Sequence, residues 1–275
     1  MSEDKRYFET EKHVKLYVEA RPTVPASLVT AIKQYLLETR TDKKESLVAV
    51  DIACGSGQGT QALAKQFDRV LGTDISPGQI REAQKLIKDD NIVFQVGTAE
   101  YIDATDGSVD LVFCNMAVHW FNRDKFFAEV RRVLRPGGVL AISAFSGDGI
   151  ETPLNIDSRQ KEQYMAACKK FNVGIRAYFD PAIELYMRRY VDIHPLPGFK
   201  DPQYRTDLYG RRSTPVRTQL ENLKTTSAFN TLLAKDAKQA NQLVAELESG
   251  LSKAFPNLDT VIDFQYDIIL LLGRA

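Results

Sequence analysis

The chain has 275 residues, which is enough for one large domain or for one domain with a sizeable insertion. Its 36 basic and 36 acidic residues give a formal net charge of zero, which argues against broad electrostatic attraction to nucleic acid. No segment is long and apolar enough to span a membrane, and the charged residues 1–11 lack the apolar stretch of a signal peptide, so we expect a cytoplasmic protein.

Predicted strands and helices alternate along the first half of the chain. After a polar arm, Leu28, Ile32 and Leu36 recur at helical spacing. Apolar runs then predict strands near 47–52, 70–74, 92–96, 110–114 and 139–143, with helices near 58–67, 76–88 and 123–134. Ser76 and Pro77 are typical of an N-cap and a first helical residue. Strands that alternate with helices indicate a parallel sheet with helices on both faces.

After the fifth strand, predicted strands and helices no longer alternate regularly. Helices are predicted near 158–171, 181–191, 218–223 and 234–255, and strands near 203–212 and 261–272. We expect a single domain over 1–275 with four parts. They are an N-terminal arm and helix at 1–45, a ligand-binding core at 46–146, a helical cap insertion at 147–200, and strands and helices at 201–275 that complete the sheet.

A glycine-rich turn follows the first strand and is the main indication of a ligand site. Asp51 ends the buried strand, Gly55 and Gly57 permit a tight turn, and the next helix points free N–H groups at that turn. A dinucleotide site prefers a third glycine where this chain has Thr60, and Asp51 would repel a pyrophosphate. The carboxylate would instead attract a ligand that carries an ammonium group, such as an amino acid.

Two further strand ends carry candidate binding residues. Asp74 ends the second strand, where a carboxylate can accept both ribose hydroxyls of a nucleoside. The alternative for Asp74 is a helix-capping acid. His119 and Trp120 follow the fourth strand, where a parallel sheet opens its ligand crevice. The alternative for His119 is a packed aromatic pair that covers the strand end.

Residues 51–57 resemble motif I of the class I S-adenosylmethionine (SAM)-dependent methyltransferases, an acid-x-x-x-G-x-G loop that holds the methionine part of SAM. Residues 97–100 resemble the G-x-A-E segment of the family, and 133–138 resemble its L-x-P-G-G turn. These motifs follow in the family's order from about 48 to 145 and resemble the methyltransferase domain 11 type. Shorter segments at 21–25, 117–121 and 226–229 resemble the trans-aconitate methyltransferase-like proteins.

The resemblance implies a Rossmann-like class I methyltransferase fold. This is an α/β fold with a seven-stranded, mostly parallel sheet, an antiparallel last strand and a helical cap insertion, and 46–146 would be its SAM-binding core. Together with the residue patterns, it assigns the following residues to the cofactor SAM: Tyr17, Arg21, Asp51, Ala53, Gly55, Ser56, Gly57, Asp74, Ile75, Ser76, Gln79, Thr98, Ala99, Glu100, Asn115 and Ala117. The residues expected to meet the methyl acceptor are His119, Trp120, Arg176 and Tyr178.

The function implied is methyl transfer to a small molecule. The sulfonium of SAM is a good leaving group, so the enzyme chiefly aligns the nucleophile and excludes water. The preferred acceptor is a carboxylate oxygen, which is ionised at neutral pH and needs no base. An amine, phenol or hydroxyl acceptor would use His119 as base. The alternative from another class is a non-catalytic SAM-binding or partner-binding protein.

The cap is expected to select the acceptor, because an arginine turned inward would clamp an acidic substrate. The three cysteines lack C-x-x-C spacing, so no metal site is expected. The expected partner is therefore a small molecule, without nucleic acid or membrane.

Overall fold

One sheet runs through the computed structural model, which describes residues 22–39, 46–145 and 149–275. Within these ranges the sheet has eight strands. They are β1 (Val48–Ile52), β2 (Arg69–Asp74), β3 (Ile92–Val96), β4 (Val109–Asn115), β5 (Leu134–Phe145), β6 (Thr152–Pro153), β7 (Lys200–Pro215) and β8 (Val261–Arg274). The order across the sheet is β3-β2-β1-β4-β5-β8, and both β7 and β6 pair with β8.

The pairing directions match the expected fold. The pairs among β1 to β5 are parallel, whereas β8 runs antiparallel to β5 and to β7. The mostly parallel sheet with an antiparallel last strand is therefore confirmed. The sheet has one strand more than the expected seven. The additional strand is β6, which has two residues and pairs with β8 beyond the stretch that β5 occupies.

The helices of the described chain cover both faces of the sheet and extend beyond it. They are α1 (Ala26–Leu37), α2 (Gln58–Ala64), α3 (Pro77–Leu86), α4 (Arg123–Val133), α5 (Ser158–Ile175), α6 (Ile183–Met187), α7 (Arg217–Lys224), α8 (Ser227–Lys235) and α9 (Ala237–Ala254). As the sequence predicts, Pro77 begins α3, and Ser76 caps it by accepting a hydrogen bond from the N–H of Gln79. In the part of the chain that the structure describes, no helix is both long and apolar enough to cross a bilayer.

Neighbouring residues of the central strands point into different apolar clusters. Along β4, Val112 and Cys114 belong to one cluster of buried side chains, whereas Leu111 and Phe113 belong to another. Both faces of the sheet are therefore covered, with the period of two that a β-strand imposes. Because β1, β2 and β4 run parallel, their carboxyl ends meet at one edge of the sheet.

Helices α5, α7, α8 and α9 form a separate apolar cluster. Its buried side chains include Phe171 from α5, Leu220 from α7, Phe229 from α8 and Leu251 from α9. The main helix of the expected cap segment 147–200 thus shares a core with helices of the segment 201–275. The division of the domain into four parts stays a prediction.

Two helical segments differ from the expected pattern. Helix α8 is not expected from the sequence; it begins where Thr226 Oγ1 accepts a 3.3 Å hydrogen bond from the N–H of Phe229. The helix expected over 181–191 is reduced to α6, because the backbone of Arg189 and Tyr190 is left-handed, with φ +59° at each.

Candidate functional site

The turn after β1 has the geometry of a ligand cradle. Gly55 and Gly57 have φ values of +56° and +87°, in the left-handed region that glycine adopts without a steric penalty. A Cβ atom added to Gly55 would have Gln79 Oε1, at 3.8 Å, as its nearest neighbour, so the space over the turn is open. A Cβ atom on Gly57 would lie 2.7 Å from Ile87 and from Phe94. Gly57 thus lets the turn pack closely, whereas Gly55 leaves room for a ligand.

Asp51 lies near the carboxyl end of β1 and is only 2% exposed. Its Oδ2 accepts a 2.7 Å hydrogen bond from the hydroxyl of Thr60 on α2. Burial raises the pKa of Asp51 from 3.8 to about 7; the Thr60 hydrogen bond opposes this rise and the charge of Asp74 adds to it. A buried carboxylate of this kind gains from a cationic partner, which an ammonium-bearing ligand would provide.

Asp74 ties the glycine turn to the end of β2. Its Oδ2 accepts a 2.9 Å hydrogen bond from the N–H of Gly55, and its Oδ1 accepts one of 2.8 Å from the N–H of Ser76. Burial raises the pKa of Asp74, and these two hydrogen bonds oppose the rise. The cap of α3 is Ser76, so Asp74 is not the helix-capping acid. Each carboxylate oxygen can accept a further hydrogen bond, so Asp74 remains able to bind a diol.

A small cavity of about 70 Å³ lies at this edge of the sheet. The predicted cofactor residues that line it are Asp51, Ala53, Gly55, Ser56 and Asn115. The rest of the lining is not predicted from the sequence: Pro22, Val24, Cys54, Gln58, Gly59, Met116 and Phe145. The apolar members come from the segment before α1 and from the ends of β4 and β5, so only the folded chain brings them to the glycine turn.

The other predicted cofactor residues in the described ranges do not line this cavity: Gly57, Asp74, Ile75, Ser76, Gln79, Thr98, Ala99, Glu100 and Ala117. Ala117 packs in the apolar core, and Ile75 is 48% exposed. Glu100 Oε1 accepts a 2.9 Å hydrogen bond from the N–H of Asn122. Tyr17 and Arg21 lie outside the described residues. Contacts of all these residues with the cofactor stay predictions.

A second cavity, of about 310 Å³, adjoins the first. Its lining is largely apolar and aromatic: Met116, His119, Trp120, Gly149, Lys169, Asn172, Val173, Arg176, Phe179, Ile183, Tyr186, Met187, Thr226 and Ser227. Met116 lines both cavities, so they meet at the residue that directly follows β4. Its backbone is left-handed, with φ +58°, and its Sδ accepts a 3.3 Å hydrogen bond from the N–H of Phe145. Met116 therefore stands between a glycine turn and an apolar chamber.

A stripe along the end of α5, continued by Arg176 directly after it, supplies the two cations of the larger cavity. Lys169, Asn172, Val173 and Arg176 follow the spacing i, i+3, i+4, i+7, which places them on one face of the helix. Lys169 and Arg176 are exposed, so both cations stand at the rim. No Asp or Glu occurs among the described residues that line this cavity. The two cations at the rim therefore favour an anionic ligand.

His119 is buried in the wall of the larger cavity, at 4% exposure. Its Nδ1 lies 2.8 Å from the hydroxyl of Tyr190, and its ring centroid lies 4.9 Å from that of Trp120. Burial lowers the pKa of His119 to about 3, against a smaller effect of the Asp180 charge. His119 thus belongs to an aromatic cluster and also faces the cavity, and it is neutral at the pH of a cell.

Tyr178 does not line either cavity, contrary to the expectation that it contacts the acceptor. Its hydroxyl donates a 3.0 Å hydrogen bond to Gln239 on α9, and its ring lies 6.0 Å from Nζ of Lys235. The short 3-10 helix at Arg176–Tyr178 turns this ring towards α9, and the next residue, Phe179, lines the larger cavity instead.

Known proteins share this architecture. A family described as a methyltransferase domain matches residues 50–142, from β1 to β5. A protein of Dictyostelium discoideum named as a methyltransferase is 30% identical over 267 residues, covering 94% of this chain and 92% of that protein. A solved structure from Anaeromyxobacter dehalogenans, described as a type II methyltransferase, has a TM-score of 0.71 and 25% identity, covering 92% of this chain and 97% of its own.

Two bacterial relatives are named malonyl-[acyl-carrier protein] O-methyltransferase. The one from Hahella chejuensis is 40% identical over 99 residues, covering 34% of this chain and 35% of that protein. The one from Methylovorus sp. is 25% identical over 223 residues, covering 74% of this chain and 68% of that protein.

Proposed function

Because the chain belongs to the class I SAM-dependent methyltransferases, we propose that it methylates a carboxylate oxygen of a small acid that has an apolar part. The observation that carries this proposal is the larger cavity, which is apolar, has Lys169 and Arg176 at its rim and has no acid in its described lining. It meets the cavity of the glycine turn at Met116.

The methyl donor of the enzyme is SAM, and the residues present fit it. Asp51 is a buried carboxylate suited to the ammonium group, Asp74 is suited to the ribose hydroxyls, and Gly55 leaves space above the turn. Bound SAM supplies a methyl group on positively charged sulfur, and its transfer to a carboxylate oxygen gives a neutral ester and a neutral thioether without moving a proton.

Two cations and an apolar chamber suit an acid better than an amine. A carboxylate is ionised at neutral pH, so Lys169 and Arg176 can bind or attract it through charge-assisted hydrogen bonds, and they would repel a protonated amine. The apolar and aromatic side chains, among them Trp120 and Phe179, exclude water from the nucleophile. Alignment and exclusion of water are then the main tasks of the chain.

The buried state of His119 argues against the alternative in which it acts as a base. A general base works best with a pKa near the operating pH, whereas the pKa of His119 is lowered to about 3. Amine, phenol and hydroxyl acceptors need such a base, and a carboxylate does not. The names of the two malonyl-[acyl-carrier protein] O-methyltransferases also support an oxygen acceptor, since a malonyl group carries a carboxylate.

The direct test is to incubate the purified protein with SAM that carries a tritiated methyl group. The acceptors are apolar carboxylic acids, with the corresponding amines and alcohols as matched controls. Methyl esters release volatile methanol in mild alkali, whereas N-methyl and ether products do not. We expect alkali-labile product from the acids alone; transfer of label only to amines or alcohols would overturn the proposal.

A matched pair of variants tests the cationic rim. Lys169→Gln and Arg176→Gln should each raise KM for the acid severalfold and leave KM for SAM unchanged. Lys170→Gln removes the same charge from the neighbouring position, where the ammonium group pairs with Glu246 at 3.1 Å, and should have no effect. Equal effects of Lys169→Gln and Lys170→Gln would show that the rim has no specific role.

A further inference from the structure

His119, which lines the larger cavity, forms a buried pair with Tyr190, which does not line it. Tyr190 is fully buried, and its hydroxyl lies 2.8 Å from Nδ1 of His119. Helix α6 ends in a Schellman motif that brings Tyr190 to this place: the N–H of Tyr190 donates to the carbonyl of Leu185, and the N–H of Arg189 donates to that of Tyr186. Arg189 and Tyr190 both have φ +59°, a conformation that non-glycine residues rarely adopt and that often marks functional positions.

The hydroxyl proton of Tyr190 has a single acceptor in the described part of the chain, which is Nδ1 of His119. If Nδ1 carried the ring proton and donated it to the tyrosine oxygen, the buried O–H group of Tyr190 would have no acceptor. A buried donor without a partner is strongly disfavoured. The arrangement that satisfies both the Tyr190 hydroxyl and Nδ1 therefore has the hydroxyl donating to Nδ1.

Burial favours the neutral form of both side chains. It raises the pKa of Tyr190 well above its usual value and lowers the pKa of His119 to about 3, so the imidazole carries one proton. A neutral imidazole that accepts at Nδ1 carries its proton on Nε2. Because His119 lines the cavity and Nδ1 is engaged, Nε2 is the ring nitrogen that remains for a bound acceptor.

We infer that Tyr190 is a positioning residue that holds His119 as the Nε2–H tautomer, so that His119 donates a hydrogen bond to the methyl acceptor and does not act as its base. The identity of that acceptor as a carboxylate rests on the proposed function, whereas the tautomer does not. An N–H donor stabilises the charged carboxylate more than the transition state, in which that charge is being lost. The contact therefore acts on acceptor binding more than on kcat.

The tautomer can be measured by nitrogen-15 NMR of the protein with labelled histidine, because protonated and unprotonated ring nitrogens have well-separated shifts. His119→Gln assigns the signals of His119, since the other two histidines remain. We expect a protonated Nε2 and an unprotonated Nδ1 at His119, and we expect Tyr190→Phe to shift the Nδ1 signal, because that nitrogen loses its hydrogen bond. A protonated Nδ1 at His119, or an unchanged spectrum in Tyr190→Phe, would overturn the inference.

Kinetics provide a second readout. Tyr190→Phe should raise the acceptor KM roughly tenfold, with kcat unchanged or slightly raised and the KM for SAM nearly unchanged. Tyr178→Phe is the matched control, because this hydroxyl binds Gln239 outside the cavity, and it should behave as wild type. His119→Gln, whose amide can donate N–H from a position close to that of Nε2, should retain more acceptor affinity than His119→Leu.

A merely structural role of Tyr190 predicts a different result. Tyr190→Phe would then have a lower melting temperature and would change the KM for SAM and for the acceptor alike, and this outcome would contradict the inference. If no acid is methylated, the proposed function fails, but the NMR spectra of wild type and Tyr190→Phe still decide the tautomer.

Discussion

The hydroxyl of Thr60 donates a 2.7 Å hydrogen bond to Oδ2 of Asp51, and both residues are buried. Thr60 occupies the position at which a dinucleotide fingerprint has its third glycine, so the residue that argues against a dinucleotide also binds the acid that we propose for the ammonium group of SAM. The hydrogen bond counters part of the pKa rise that burial imposes on Asp51. Because the ammonium group of SAM requires an ionised partner, Thr60 is expected to support cofactor binding.

Thr60→Val should weaken SAM binding without disturbing the packing of α2, since valine has nearly the shape of threonine. Hydrogen bonds to charged groups contribute about 1.5–3 kcal/mol, so we expect the Kd for SAM at pH 8 to rise roughly 10-fold or more. Isothermal titration calorimetry measures this change. Thr60→Ser keeps the hydroxyl and is the control. Equal affinities of the valine and serine variants would show that the hydrogen bond does not matter for binding.

SAM binding should depend on pH through Asp51. Burial raises the pKa of Asp51 to about 7, so in the free protein this carboxyl takes up a proton as the pH falls through 7. A neutral carboxyl does not attract an ammonium group. The affinity for SAM should therefore decrease steadily from pH 7.5 to pH 5.5, a range in which the ammonium group of SAM stays largely charged. A Kd that is the same at pH 5.5 and pH 7.5 would contradict this assignment.

The raised pKa of Asp51 also affects the stability of the free protein. The pKa of Asp51 is higher in the folded protein than its ordinary value of 3.8, so the folded state binds more protons than the unfolded chain between pH 3.8 and about 7. The favourable contribution of protonated Asp51 is present at low pH and is lost as the pH rises through 7. At pH 8 and without SAM, Asp51→Asn should therefore melt at a higher temperature than wild type. Added SAM should raise the melting temperature of wild type but not that of Asp51→Asn.

The sequence predicts the sheet, and also the edge of the sheet at which the ligand site lies, because both depend on local patterns. Apolar runs with turn residues between them indicate the strands, and Asp51, Gly55 and Asp74 stand at strand ends where the parallel topology brings them together. The register of the antiparallel β8 and the two-residue β6 depend on contacts far apart in the chain. No local pattern predicts them.

The larger cavity is less predictable from the sequence, because it too depends on contacts between residues far apart in the chain. Tyr190 is 71 residues from its partner His119, and its position depends on a left-handed backbone for which the sequence has no glycine. The stripe from Lys169 to Arg176 does have a signal, because its spacing is helical. The helix predicted there ends near 171, so Asn172, Val173 and Arg176 fall outside it, whereas α5 continues to Ile175 and Arg176 begins the 3-10 helix that follows.

The chemical step should not titrate with His119. Because the pKa of His119 is lowered to about 3, this side chain stays neutral from pH 6 to pH 9. With SAM saturating, so that Asp51 does not limit binding, we expect kcat to show no histidine-like inflection in this range. A fall in kcat below pH 7 that disappears in His119→Gln would instead identify His119 as a base.

An ion pair links the sheet to the helical cluster of α5, α7, α8 and α9. Arg212 on β7 binds Glu151 with both ends of its guanidinium group: Nε donates to Oε2 at 2.8 Å, and Nη2 donates to Oε1. Glu151 is 2% exposed, and its N–H donates to Gln219 on α7 at 3.3 Å. Removal of the guanidinium group would therefore take this two-point charged contact from a buried carboxylate.

Arg212→Met should lower the free energy of unfolding by about 3–5 kcal/mol, the usual effect of breaking a buried ion pair from one side. Arg211→Met is the matched control on the same strand, because Arg211 is exposed and its guanidinium lies 5.0 Å from the Tyr209 ring, a contact that contributes about 0.5–1 kcal/mol. Urea denaturation with SAM absent measures both variants. Similar losses in Arg212→Met and Arg211→Met would mean that the buried pair does not anchor the helices.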